Sequence, residues 1–536
     1  MQIDQMYDVV QIGYGPVGQA CAALLGRAGF RVAVIERHEG LYPLPRAGHI
    51  DHEIARVFQG LGAAERIMVD AFRCANYGWR NQHGESLLDI DWSREGISGW
   101  ASDYLFYQPY LEDALDAAAR RYPEVVIHQG WEAVGITPHA DHVKVTVTPA
   151  GRNTPTQNAQ ADNDRLFSAR FVIGVDGANS FTRGAAGIEL QDFGFRENWL
   201  VVDFRQKRPL SFEFDNGQIC DPARPLCLFQ LGKTHRRVEF MVLPGEDAEA
   251  LSRPERVWAL VSAWLSPDDA ELIRSTVYTF RSANARAWRS GRIILAGDAA
   301  HLMPPFLGQG MCSGIRDVVN LTWKLDLIRR RLAADSLLDS YEVERKAHVG
   351  AIIEQAVALG KISCMVDPVA AQKRDAALMS GQVPPPPPFP WIYSGLLQKS
   401  LPNKAGDIVG RLGPQAVIEH RGVKGRADDV LGGGWHFIYT STTVWTDNTV
   451  TSAIIRELEV RLLHINGTGA DGVKDCDGVY ARYLCEARID ALLVRPDFYV
   501  FGVVALGESA DPLFAELAAQ LGLRLTPSRA VTETGT

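Results

Sequence analysis

The chain has 536 residues, 46% of them hydrophobic and 22% charged, with a net charge of −9. That length exceeds one ordinary hydrophobic core, so two or three domains are expected, and the acidic balance argues against nucleic acid or an anionic membrane as partner. Eight scattered cysteines form no CxxC pair and no apolar run reaches membrane-spanning length, which suits a reducing cytoplasm, without a disulfide framework, a metal site or a membrane anchor.

Residues 7–12, YDVVQI, predict a buried strand, and GYGPVG follows at once, with Gly13, Gly15 and Gly18 in GxGxxG spacing. QACAALLGRAGF (19–30) predicts a helix, and RVAVIE (31–36) a second strand ending in Glu36. This is the β–α–β frame that a dinucleotide requires. Gly13 permits the tight turn, Gly15 lets a pyrophosphate approach the backbone, and Gly18 lets the helix pack on the sheet. Pro16 opens the helix, whose free amides face the phosphates. Glu36 has the reach to accept ribose hydroxyls, and Arg37 beside it suits either a solvated surface or a phosphate contact.

Further along, LPRAGHID (44–51) places Arg46 and His49 close together, and the helix after DYLFYQ begins at Pro109, just beyond Gln108. ARFVIGVDGANSFTR (169–183) is a strand followed by Asp176-Gly177, where Asp176 could orient Arg183 or cap the next turn. Strand-like pieces in 185–285 alternate in hydrophobicity, which predicts an antiparallel sheet with one packed face and one face over a cavity. In THRRVEF, strand alternation forbids Arg236 and Arg237 from both pointing inward. RIILA (292–296) is another strand, ending at Gly297-Asp298. A loop follows in which Pro304 and Pro305 are rigid and Gly308 and Gly310 admit close approach, and then a long amphipathic helix over 313–333. GQVPPPPPFP (381–390) predicts a stiff polyproline spacer. Beyond residue 430, strand-like segments and the helix DPLFAELAAQLGLRL form a further unit.

Three of these stretches, GYGPVG at 13–18, DGANSFTR at 176–183 and GDAAHLMPPFLGQG at 297–310, together resemble the class A FAD-dependent aromatic hydroxylases of the para-hydroxybenzoate hydroxylase type. The 3-(3-hydroxyphenyl)propionate and the phenol or resorcinol hydroxylases are the most similar branch. The likeness runs from about residue 5 to 365 and more loosely through the tail. It implies an α/β fold: a Rossmann-like FAD-binding domain, an inserted mixed or antiparallel β-sheet substrate domain and a C-terminal thioredoxin-like domain without CxxC. The corresponding division is 1–184 and 286–380 for FAD, with some substrate-domain insertions in the first part, 185–285 mainly for substrate, 381–429 as spacer and 430–536 as the thioredoxin-like domain.

The same resemblance implies that Gly297 and Asp298 hold the ribityl and pyrophosphate region of FAD. Pro305, Gly308, Gln309 and Gly310 lie beside its isoalloxazine, and Arg46, Gln108 and Asp176 support it. Phe195, Arg236, Phe240 and Phe306 are the candidate substrate-binding residues, and His49 and Tyr278 the candidates for acid–base work. It further implies that NADPH or NADH reduces FAD, O2 adds at flavin C4a, and the hydroperoxide transfers one oxygen to a small phenolic or heteroaromatic ring. A homodimer is the expected assembly. A FAD-dependent oxidoreductase that does not hydroxylate is the alternative left open by the nucleotide motifs.

Overall fold

The computed structural model describes residues 6–151, 164–382, 387–400, 407–446 and 449–523. It divides into two compact units: residues 1–96, 100–318 and 349–390, and residues 97–99, 319–348 and 391–536.

The first unit is built on two sheets. In one, of eight strands, six run in the order Arg289–Ser290, Ile293–Leu295, Arg165–Gly174, Met6–Ile12, Val32–Glu36 and Val125–Gln129, parallel except for the edge pair 289–290 with 293–295, and Val143–Pro149, itself paired with Trp131–Pro138, lies antiparallel against Arg165–Gly174. Val9 of the central strand pairs with Val32 on one side and Phe171 on the other, and all three are buried. Such a strand needs a continuous Val/Ile run, because both its faces are covered. The helix Pro16–Arg27 follows the central strand directly and buries Ala20, Leu24 and Leu25. This is the Rossmann-like α/β arrangement expected of the N-terminal segment.

The second sheet has eight strands in the order His301–Leu302, Ala270–Ala285, Leu190–Gln206, His235–Met241, Leu226–Leu231, Gly217–Ile219, Asn76–Arg80 and Ser86–Asp91. Its pairs are antiparallel except for 217–219 with 76–80, so the inserted sheet is mixed. One face packs Leu200, Val202, Phe204, Val238 and Phe240 against Val257 and Val261 of the helix Pro254–Val261. The opposite face looks into a cavity. A short pair of strands, His49–Asp51 and Asp103–Leu105, also borders that cavity.

The long helix expected over 313–333 runs from Gly310 to Arg329, starting directly at the glycine that ends the loop. No single helix among the described residues is long and apolar enough to cross a membrane.

The second unit carries a seven-stranded sheet ordered Val423–Arg426, Val417–His420, Gly472–Asp475, Arg461–Ile465, His436–Tyr439, Ile489–Val494 and Val500–Ala505. The three strands at 436–439, 461–465 and 472–475 are mutually parallel, and 489–494 and 500–505 add an antiparallel hairpin. The expected spacer 381–429 is corrected here. Its later part supplies the strands Val417–His420 and Val423–Arg426, whose Ile418 is fully buried in the core of this unit. Of the proline run, residues 383–386 lie outside the described residues. Cys476 and Cys485 are half-buried and exposed, and all eight cysteines are free thiols.

Candidate active site

At the end of the strand Met6–Ile12 the Gly13 amide donates to the Ile35 carbonyl (2.9 Å), with φ at +103°. A Cβ there would stand 2.4 Å from the Val175 carbonyl oxygen, so only glycine fits. Around Gly15, by contrast, nothing lies within 4 Å of such an atom. Gly15 also caps the helix Pro16–Arg27 without a side-chain hydrogen bond, which leaves the helix amides facing open space. The Glu36 carboxylate accepts from the Tyr14 and His38 amides (2.8 and 2.9 Å) and is thereby fixed at the strand end.

The loop from Gly297 to Gly310 is pinned at both ends. The Gly297 amide donates to Asp317 (3.0 Å), which also pairs with the fully buried His301 (2.7 Å). Gln108 accepts from the backbone amides of Arg46 and Ala47 (2.6 Å each) and so shapes the segment that carries Arg46. Asp176 caps its turn by accepting from the Thr182 amide (2.9 Å), while the Arg183 side chain donates to the Ala299 and Ala178 carbonyls instead.

The glycine loop, Glu36, Arg46, Gln108, Asp176 and the loop from Gly297 to Gly310 border one cavity of about 1070 Å³. Gly13, Gly15, Pro16, Gly18, Glu36, Arg37, Arg46, Gln108, Asp176, Gly297, Asp298, Pro305, Gly308, Gln309 and Gly310 line it together. The open Gly15, the uncapped helix start and the acid at the second strand end provide the donors and acceptors that the pyrophosphate and ribose of FAD require. These residues fit that group.

The remainder of the cavity is rich in aromatic side chains. Tyr77, Trp92, Phe229, Tyr278, Phe280 and Phe306 line it. His49 lies at the junction. Its Nε2 bonds to Asp103 (2.7 Å), its Nδ1 lies 3.3 Å from the Gly308 carbonyl, and its ring packs on Trp92. Burial pulls the imidazolium pKa down, but hydrogen bonding and charge from Asp103 and Cys312 override this and hold it well above the ordinary value. Both ring nitrogens thus have protein partners. Below the loop, the Arg316 guanidinium ties Gln309 (2.8 Å) to Glu53 (2.6 Å) and Asp51 (2.5 Å), and Gln309 itself donates to Asp51 (3.0 Å). Burial opposes the charge on Asp51, yet Arg316 keeps its carboxyl far below the usual range.

On the sheet face, three of the four candidate substrate-binding residues are not cavity-lining. Arg236 and Phe240 belong to the opposite face: Phe240 is in the core against the helix Pro254–Val261, and Arg236 pairs with Asp215 (2.9 Å) over the Phe212 ring. Phe195 packs edge-on behind Phe306, at 5.9 Å. The alternate residues Arg237 and Glu239 take the cavity side. Arg237 donates to Asp203 (2.7 Å) and to the carbonyls of Pro45 and Arg46 (2.9 and 2.6 Å). Arg274 pairs with the same Asp203 (2.7 Å) and donates to the Tyr278 hydroxyl (3.1 Å). Sequence reasoning did not reach Glu239, Asp203, Arg274 or Asp103. For Glu239 a signal existed, since Val238 and Phe240 mark the packed face of the strand and leave 237 and 239 on the other.

Comparison with known proteins agrees with this geometry. A family described as FAD binding domain matches residues 6–356, and one described as HcaD C-terminal domain matches 410–520. The chain is 39% identical to a probable NADH-specific resorcinol 4-hydroxylase of Rhodococcus jostii, covering 96% of this chain and 94% of that one. It is 32% identical to a 3-(3-hydroxy-phenyl)propionate/3-hydroxycinnamic acid hydroxylase of Burkholderia vietnamiensis, covering 92% of each. Among solved structures, the flavin-dependent monooxygenase PieE in complex with FAD and substrate shares the fold, with a TM-score of 0.77 at 22% identity over 97% of this chain and 99% of that one. Aklavinone-11 hydroxylase with FAD and aklavinone does so at 0.75 and 24%, over 97% and 100%. The chain belongs to the class A FAD-dependent aromatic hydroxylases, in the branch of the resorcinol and 3-(3-hydroxyphenyl)propionate hydroxylases.

Proposed function

We propose that this protein uses FAD, NADH or NADPH, and O2 to add one hydroxyl group to a small phenolic ring held at the aromatic end of the cavity. The observation that carries this reading is the single cavity, which joins fifteen dinucleotide-side residues to a wall of aromatic side chains. When bound, reduced FAD supplies the oxygen-activating chemistry. The chain's own residues do the rest. Gly13, Gly15, Pro16, Gly18, Glu36 and Arg37 hold the adenosine and pyrophosphate. Arg46, Gln108, Asp176, Gly297 and Asp298 hold the middle of the cofactor, and 305–310 its ring. Phe229, Phe280 and Phe306 exclude water and fix the plane of the substrate. The Tyr278 hydroxyl accepts from Arg274, so its own proton is available to a substrate oxygen. His49, engaged at both nitrogens, holds the Gly308 carbonyl in place and keeps a positive charge beside the ring site.

The names of the relatives favour a mono- or dihydroxylated benzene ring as substrate and NADH as reductant. The strand–helix–strand at 436–465, followed by the hairpin 489–505 and the helix Asp511–Leu521, supports a thioredoxin-like reading of the C-terminal unit. Without a CxxC pair this domain serves assembly, for which we propose a homodimer, rather than disulfide exchange.

The test is a visible spectrum of the purified protein, followed by NADH or NADPH oxidation with a panel of phenols. A flavin spectrum, phenol-stimulated O2 uptake and a product one oxygen atom heavier are expected. Failure to bind FAD after reconstitution, or reductant consumption that yields only peroxide across the panel, would overturn the proposal.

A further inference from the structure

The aromatic end of the cavity carries a charge pattern that the dinucleotide motifs do not explain. A row crosses four neighbouring strands: Phe229, Arg237, Asp203 and Arg274 are directly opposite one another, on one face of the sheet. Glu239 stands in the next row, beside Val201 and Cys227. Arg237 is committed to Asp203 and to two backbone carbonyls, with Glu239 at 3.6 Å. Arg274 is ion-paired with Asp203 and donates to Tyr278, and its Nε and Nη2 are buried. The third cation here, His49, is matched by Asp103. Cations and carboxylates at this end therefore balance before any substrate enters. Of the other cavity-lining arginines, the charge of Arg46 acts on Asp298 and Glu112, Arg281 stands near the like charge of Arg183, and Arg37 follows Glu36 at the ribose end.

Glu239 is the member of this set left with spare capacity. Its side chain is 8% exposed, it lines the cavity, and among the described residues its one charged neighbour within ion-pair distance is Arg237. A buried carboxylate with open lone pairs is a strong acceptor for an O–H group and a repellent for a second carboxylate. Burial raises its pKa, with Arg237 offsetting part of the rise and Asp203 adding to it.

Resting on the hydroxylase reading above, we propose that this cavity takes an uncharged hydroxyarene and rejects arylcarboxylates. Glu239 is the specificity-determining residue that accepts the hydrogen bond of the substrate hydroxyl. An arylalkanoate entering the same space finds Arg237, Arg274 and His49 already paired and one carboxylate facing it, and burying its charge there is costly.

The test uses FAD-loaded protein and two probes, resorcinol and 3-(3-hydroxyphenyl)propionate. Binding is read from the perturbation of flavin absorbance, independently of turnover, and kcat/KM is measured beside it. The wild type is expected to favour resorcinol by about tenfold or more in Kd, and Glu239→Gln, equal in size but uncharged, to shrink that ratio by about tenfold. Glu239→Asp, which keeps the charge, is expected to retain the wild-type preference, which separates the charge effect from a packing defect. Equal affinity for both probes in the wild type, binding of neither, or an unchanged ratio in Glu239→Gln would overturn the inference. Should the binding ratios behave as stated while neither probe yields an oxygenated product, the specificity inference stands and the hydroxylase reading falls.

Discussion

At Gly308 the backbone is left-handed, φ +64°, and a Cβ would lie 2.7 Å from His49 Nδ1. Two separate costs therefore meet in one substitution. Gly308→Ala forces a non-glycine residue into the left-handed region, at about 1–3 kcal/mol, and drives a methyl group into an imidazole held on its other side by Asp103. The loop that receives the flavin ring cannot relieve both, so FAD binding is expected to weaken by about tenfold or more in Kd. Adding His49→Ala removes the clash but not the backbone cost, so the double variant should recover only part of the affinity. Flavin fluorescence quenching measures each value, and full recovery in the double variant would show that the backbone term is negligible. Gly308 was visible in the sequence because its motif is local. Its partner His49 is 259 residues away, and Asp103 is 54 residues from His49, so no spacing rule could couple the three.

The strand His235–Met241 shows how one residue of parity decides a role. Its seven residues are all buried, so burial alone cannot separate its faces. The separation comes from what each face meets. Arg236, Val238 and Phe240 meet the helix Pro254–Val261 and the 210–215 segment, while Arg237 and Glu239 meet the cavity. Alternation was legible in the sequence, as was the impossibility of both arginines facing inward. Which arginine faces inward depends on Asp203 and Asp215, carboxylates from other parts of the chain, and it was misjudged for that reason. The two positions should respond differently. Arg236→Met leaves Asp215 without its partner and is expected to lower unfolding free energy by about 1–3 kcal/mol with KM unchanged. Arg237→Met leaves the fully buried Asp203 short of one cation and alters the cavity wall, so KM should rise as well. Urea unfolding and steady-state kinetics on both variants check this, and a KM change in Arg236→Met would contradict the parity assignment.

At the scale of the whole molecule, the sequence showed where dinucleotide binding lies but not what holds the second unit together. Its centre is a set of buried charges drawn from distant positions. Glu344 accepts from Lys324 (2.9 Å), Arg495 (2.7 Å) and Asn320 (2.7 Å), and Asp497 accepts from Arg495 (2.6 Å) and Asn320 (2.7 Å). In sequence these appear as ordinary helix and loop charges, and their pairing emerges only with the tertiary fold. Burial disfavours the Glu344 charge, but Arg495 and Lys324 outweigh it and bring the carboxyl from 4.5 down to about 2. Lys324 moves the other way relative to its pairing: burial dominates, Arg495 adds repulsion, and its ammonium falls from 10.5 to about 8 despite Glu344. Arg495 is thus the cation that Glu344 chiefly relies on.

The sign of the pH dependence follows from these shifts. Glu344 has a depressed folded-state pKa, so the unfolded chain binds more protons between 4.5 and 2, and the stability contributed by Glu344 is fully present above 4.5 and lost as pH falls toward 2. Lys324 is likewise depressed, so stability rises with pH across the window from 8 to 10.5. Glu344→Gln removes the first dependence and leaves two buried cations facing one remaining carboxylate. It is expected to cost about 3–5 kcal/mol at neutral pH. The loss should shrink as pH falls from 4.5 toward 2, because the wild type then surrenders the same interaction. At alkaline pH the variant should instead regain stability over a window beginning below 8, since Lys324 without Glu344 releases its proton more readily. Denaturant midpoints for wild type and variant from pH 2 to 10 give both slopes. A difference between the two proteins that stays constant from pH 4.5 to 2 would show that Glu344 is not ionised in the folded unit.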